Sequence, residues 1–176
     1  MLHAATPFQL VIAATDLEPV ALDEAEQGEK DLMWRKNGNG LIVAPFGGNP
    51  AATPASKTVT IPAAGEYQLW ACYAVSENAR LPFAILLGDQ EYLFCEEPFG
   101  TPEEGHPEIF QGRMPDRESL LWTSQPVTLP AGDLDLQVTR TTSLTFDGDG
   151  ITTNPPIVRT IVITNNPNAT PADFSP

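Results

Sequence analysis

Three tryptophans, a pair of aspartates and a few neighbouring cations are the residues of this 176-residue chain best suited to chemistry. A flat aromatic ring meets the apolar face of a pyranose, and a few polar groups orient its hydroxyls. Trp34, Trp70 and Trp122 are the candidate platforms. Trp34 stands beside Arg35, Lys36 and Asn37. Trp122 follows a long irregular stretch that holds Arg113, Asp116 and Arg117. The leading contact set is Trp34, Trp122, Arg35, Asn37 and Arg113. Each tryptophan also has the plainer reading of a packed aromatic. Asp147-Gly148-Asp149-Gly150 sets two carboxylates two positions apart between glycines. Calcium takes about six to eight oxygen ligands, and D-x-D-G is half of an EF-hand-like loop. The glutamate that would complete that loop is absent, and turn chemistry alone accounts for Asp-Gly. Asp147 and Asp149 are therefore the candidate metal ligands, with Ca2+ the one cofactor the sequence offers.

Catalytic groups are harder to assemble. His3 and His106 are the two histidines, one near the terminus and one between Gly105 and Pro107. No G-x-S-x-G occurs. A pair of working carboxylates can hide among 23 acidic residues, because such pairing is spatial. The reading adopted is a non-enzyme.

The elements that must position these residues are strands. In Val59–Tyr73, a short apolar run turns through Pro62-Ala63-Ala64-Gly65. It continues with Tyr67, Leu69, Ala71 and Tyr73 on one face and Gln68, Trp70 and Cys72 on the other. Period-2 alternation is the mark of a strand. If the Tyr67–Tyr73 face is core, Trp70 lies outside, exposed or covered by a loop. The pattern recurs as Val127-Thr128-Leu129-Pro130-Ala131-Gly132, followed by Leu134, Leu136 and Val138. The repeat predicts two similar hairpins in one sandwich. Asn37-Gly38-Asn39-Gly40 between Leu32–Trp34 and Leu41–Ala44 predicts another hairpin. Further strands are predicted at Phe8–Ala14, Phe83–Leu87, Glu91–Cys95, Ser119–Thr123, Asp133–Thr145 and Ile157–Thr164. Short strands divided by turn signals predict an all-β fold, a two-sheet jelly-roll β-sandwich. Its predicted core is Tyr67, Leu69, Tyr73, Phe83, Ile85, Leu136, Ile161 and Ile163. Residues 1–7 are expected to be a disordered tail, 8–164 the single domain, and 165–176 a Pro-rich exit or linker.

The net charge of −14 disfavours nucleic acid and anionic membrane surfaces, which need Lys and Arg. No apolar run approaches the roughly 20 residues that cross a bilayer. No basic segment precedes Phe8–Ala14, so no signal peptide is visible. Cys72 and Cys95 lie on separate predicted strands, and both a bridge and two buried thiols fit the sequence. The stretch Glu96–Glu118 carries Phe99, Ile109, Phe110 and Met114. Loops of this length are usually functional or disordered. It is expected either to wall a groove with Trp122 at its base or to form a packed cluster with that ring.

Val59–Trp70, Phe83–Gly88, Trp122, Val127–Gly132 and Ile161–Thr164 together resemble the galactose-binding-like jelly rolls. The frame is V-x-[IL]-P-x-x-G-x-Y-x-[LV]-W, an apolar strand ending in glycine, a tryptophan, V-x-L-P-A-G and a final β-branched run. The nearest likeness is to carbohydrate-binding modules of families 6 and 35 and related accessory domains of polysaccharide-active enzymes. Gly40–Gly47 is similar to the segment before the central hairpin in the accessory group. The resemblance implies a non-catalytic module of a larger secreted protein, extracellular or periplasmic, with a glycan or polysaccharide as partner. The competing expectations are a structural or protein-interaction sandwich without a glycan ligand, and a free-standing glycan-active enzyme. Modules of this kind often hold calcium with Glu-x-Glu near the first strand and an Asp opening the last. Here Arg159-Thr160 stands where that Asp would fall. The first strand has Ala13-Ala14-Thr15, with Glu24-Ala25-Glu26 as the other match.

Overall fold

The computed structural model describes residues 7–19, 35–36, 42–43, 54–75, 83–94, 119–140 and 157–174. The strands are β1 (Gln9–Ala13), β2 (Glu18–Pro19), β3 (Arg35–Lys36), β4 (Ile42–Val43), β5 (Ala55–Ile61) and β6 (Gly65–Val75). They continue with β7 (Phe83–Leu87), β8 (Gln90–Phe94), β9 (Ser119–Leu129), β10 (Gly132–Arg140) and β11 (Ile157–Thr164). Among the described residues they form two antiparallel sheets. The larger runs β3-β4-β11-β6-β9, with β1 also paired to β11; the smaller runs β2-β5-β10-β7-β8. The only helical turns among the described residues are 3-10 turns at Ala14–Asp16 and Pro171–Phe174. The chain is an all-β, two-sheet sandwich.

All eight predicted core residues are buried between the sheets. Alternation explains the choice: β6 sends Tyr67, Leu69, Ala71 and Tyr73 inward, and β11 sends Ile161 and Ile163 inward. From the smaller sheet come Phe83, Ile85, Phe94, Leu136 and Val138. Tyr73 meets Phe83 edge-on across the interface at 5.1 Å, and within the smaller sheet Phe83 stacks on its register partner Phe94 at 5.5 Å with planes 15° apart. Such pairs add about 0.5–1.5 kcal/mol beyond their buried area.

The repeated Pro-Ala turn is not a hairpin turn. β5 pairs with β10 and β2, whereas β6 pairs with β11 and β9. Both β5–β6 and β9–β10 therefore cross from one sheet to the other as arches. The arches stack side by side: Gly65 registers with Leu129 on one sheet and Gly132 with Ile61 on the other. The reason lies in the apolar positions. Val59 and Ile61 must face Tyr67 and Leu69 across the core, and hydrogen-bonded hairpin partners share one sheet instead. The Tyr67 hydroxyl donates to the Ala63 carbonyl at 2.7 Å and pins the first arch.

On either side of the predicted Asn37–Gly40 turn, β3 pairs with β4, Lys36 opposite Ile42, while Leu32–Trp34 and the turn residues themselves lie outside the described residues. β7 and β8 form a hairpin closed by Gly88 and Asp89, with Gly88 at φ 60°. Ser119–Thr123 and Val127–Leu129, separate in the sequence reading, are one long strand through Pro126. Among the described residues β9 is the edge of its sheet, the position at which a proline is tolerated in a strand.

The largest departure follows Thr164. The Pro-rich segment expected to leave as a linker instead turns back onto the outer face of the larger sheet. Asn165 Oδ1 accepts from the Phe8 N–H at 2.7 Å, and the Asn165 N–H donates to the Phe8 carbonyl at 3.2 Å. A turn with Pro167 at its second position closes through Ala169 N–H to the Asn166 carbonyl at 3.2 Å. Thr170 then caps a 3-10 turn: its N–H and hydroxyl donate to Asp173 Oδ2 at 2.7 and 2.9 Å. Pro171 fills the first helical position, where its fixed φ fits. Phe174, 1% exposed, ends the segment in the sheet. The expected tail at 1–7 and the acidic stretch 20–34 lie outside the described residues, apart from Pro7.

Candidate functional site

The outer face of the larger sheet carries the two described tryptophans. On β6 the outward residues are Gln68, Trp70 and Cys72; on β9 they are Trp122, Ser124 and Pro126. Cys72 registers with Trp122 and Trp70 with Ser124, so the two indoles are diagonal neighbours on adjacent strands. Val162 of β11 and Val11 of β1 extend the apolar surface. Phe174 lies over both indoles, 5.4 Å from each ring centroid, with planes inclined 62° to Trp70 and 46° to Trp122. Trp70 is thus outside the core and covered, as the alternation predicted, and the cover is the C-terminal segment. Both tryptophans keep part of their surface open. The Trp70 indole Nε1 is buried and makes no hydrogen bond to the described residues.

Cys72, on the same outward row of β6 as Trp70 and in register with Trp122, is a free thiol, 2% exposed. Burial pushes it up to about 11, with Arg159 pulling the other way. It is neutral at physiological pH. Cys95 lies outside the described residues.

Toward the other end of the same face is an open groove of about 190 Å³. Glu66, Gln68, Pro126, Thr164, Asn165 and Pro167 line it. The sheet supplies its floor and the C-terminal segment one wall. Sequence reasoning misses it because Asn165 and Pro167 read as linker residues.

Of the predicted contact residues, Trp122 is placed on this face and is half-buried against Phe174. Arg35 lies on β3, paired with Val43; its side chain is outside the described residues. Trp34, Asn37, Arg113, Asp116 and Arg117 are also outside them, as is the stretch from Glu96 to Glu118. Asp147 and Asp149 are outside them too. Among the described residues, no group of three or more His, Cys, Asp or Glu side chains is placed to hold a metal ion. No helix among them is long and apolar enough to cross a membrane.

No protein-family model and no curated protein matches the chain. Solved structures do. The CBM36-1 domain of a multidomain xylanase from the hindgut metagenome of Trinervitermes trinervoides matches at TM-score 0.51 and 6% identity, covering 92% of this chain and 100% of that one. The C-terminal CBM6 of LamC, a marine laminarinase from Zobellia galactanivorans, matches at 0.50 and 15% identity, over 89% and 99%. The Podospora anserina GH26-CBM35 β-(1,4)-mannanase matches at 0.51 and 14% identity. That match covers 93% of this chain, which spans 29% of the enzyme's length. The chain has the galactose-binding-like β-sandwich fold shared by these carbohydrate-binding modules.

Proposed function

We propose that this chain is a non-catalytic carbohydrate-binding module, joined in nature to a larger polysaccharide-active protein that works outside the cell. The observation that carries this reading is the end-to-end match to isolated binding modules, at 92% of this chain and 100% of the CBM36-1 domain. The polysaccharides to try first are mannan, laminarin and xylan, after the enzymes named for those neighbours.

The contacts proposed from sequence are Trp34, Arg35, Asn37, Arg113 and the open part of Trp122. Asp147 and Asp149 are the proposed calcium ligands. Trp122 has a second role with direct support, since its ring packs on Phe174. A glycan array read with calcium and with a chelator tests both proposals. Binding lost on chelation supports the calcium site. Binding unchanged on chelation removes it and leaves the module reading intact. Release of reducing ends from any bound polysaccharide would contradict the non-catalytic reading.

A further inference from the structure

We propose that the groove between β6, β9 and the C-terminal segment is a carbohydrate subsite for one neutral sugar unit, distinct from the tryptophans. The proposal rests on the module reading above.

The lining divides into groups already committed and groups left free. The Thr164 hydroxyl donates to the Phe8 carbonyl at 2.8 Å and accepts from the Asn166 N–H at 3.1 Å. It is a fixed part of the wall. Glu66 Oε1 accepts from the Thr128 hydroxyl at 2.7 Å, which orients the carboxylate and leaves its second oxygen open. Asn165 Oδ1 is held by the Phe8 N–H at 2.7 Å, which leaves its NH2 to donate. The Gln68 amide, half-buried in the floor, has no hydrogen bond to the described residues. One anchored acceptor, one anchored donor and one planar group with both functions therefore converge on a single recess.

Those are the groups that read a sugar. Adjacent ring hydroxyls each donate and accept, and a planar amide or carboxylate meets two of them at once. Two of the three groups are held in place before any ligand arrives, so little ordering is lost on binding. Pro126 and Pro167 supply apolar C–H surface for the ring. The recess is too small for a long chain and suits one ring. Charge narrows the class further. Glu66 is the only charged group among the described lining residues, and the chain carries −14 overall. Uronic acids and sulfated sugars are therefore disfavoured, and neutral hydroxylated rings are favoured.

The test uses the intact chain, isotopically labelled, titrated with mannobiose, laminaribiose, xylobiose and glucuronic acid. Amide chemical shifts are followed, side-chain amides included. The expected result is movement of the Gln68 and Asn165 side-chain amides with at least one neutral disaccharide and none with glucuronic acid. Gln68→Ala should weaken that binding about three- to tenfold, the worth of one or two net hydrogen bonds. Its tryptophan fluorescence should stay unchanged, which reports an intact fold. Shifts confined to residues outside the groove would overturn the subsite and leave the module reading standing. Silence toward every disaccharide from a chain that polysaccharide gels still retain would overturn it too. Silence together with no retention would bring down both.

Discussion

The Trp122 and Phe174 rings sit 5.4 Å apart on the outer face of the larger sheet, so the last turn of the described chain is fastened to its edge strand. Phe174 also contacts Trp70 on the next strand. Removing it should empty a closed site. Phe174→Ala should cost about 3–5 kcal/mol in urea unfolding and shift tryptophan emission to the red. Trp122→Ala should cost less, about 1–3 kcal/mol, because part of that ring is already open. In a double-mutant cycle the two losses should fall short of additive by about 0.5–1.5 kcal/mol. Full additivity would show that the two rings do not support each other.

The same segment should respond to acid. Hydrogen bonds from the Thr170 N–H, and then from its hydroxyl, hold the Asp173 carboxyl below the ordinary aspartate range. A depressed carboxyl favours the folded form at pH values above its unfolded pKa, and that contribution fades as pH falls through the folded value. Tryptophan emission should therefore be flat at neutral pH and begin to move only below the usual aspartate range. Asp173 is fully exposed, so the effect is local. Asp173→Ala should show the acid form of the spectrum already at neutral pH. Identical pH profiles for the two proteins would remove Asp173 from the account.

Cys72 should be inert in the folded state. With Cys95 replaced by serine, the remaining thiol should resist an aromatic disulfide reagent near neutral pH and react fully after unfolding. Its pKa is raised to about 11 by burial. Stability from the neutral thiol should thus be complete below the ordinary value of 9.0 and decline as pH rises toward 11, where the unfolded thiol has already ionised. Rapid native-state labelling would contradict the buried placement.

The two arches give different predictions at equivalent-looking glycines. Gly132 has φ 110°, and a Cβ there meets nothing within 4 Å. Gly132→Ala should therefore cost only its backbone strain, about 1–3 kcal/mol. Gly65 also has open space where a Cβ would stand, but its backbone is not left-handed. Gly65→Ala should be neutral or stabilise by up to about 1 kcal/mol. Thermal unfolding of the pair decides, and equal losses would mean the arches are not built as described.

Much of this fold is legible in the sequence because the core strands alternate cleanly. Tyr67, Leu69 and Tyr73 can only share a face, and that face is the core. Connection is the part that misleads: an apolar run, a Pro-Ala turn and another apolar run read alike for a hairpin and an arch. Only the pairing partners distinguish them, and those are distant in sequence. The C-terminal segment is lost for another reason. Its short apolar content hides two local signals, the turn at Asn166-Pro167-Asn168 and the cap Thr170-Pro171-Ala172-Asp173. That T-x-x-D spacing, with proline at the first helical position, is a helix-start signature. Recognising it places Phe174 near a surface and exposes the groove. The sugar-contact prediction is legible only as residue types, and of that set Trp122 is the one whose side chain is described.

Carbohydrate recognition is tested most directly by affinity electrophoresis of the intact chain through native gels containing mannan, laminarin or xylan. The account predicts retardation in at least one gel relative to a polysaccharide-free gel, with the polysaccharide's chain length unchanged. Equal mobility of the folded protein in all of them, at concentrations that retard known modules, would contradict it.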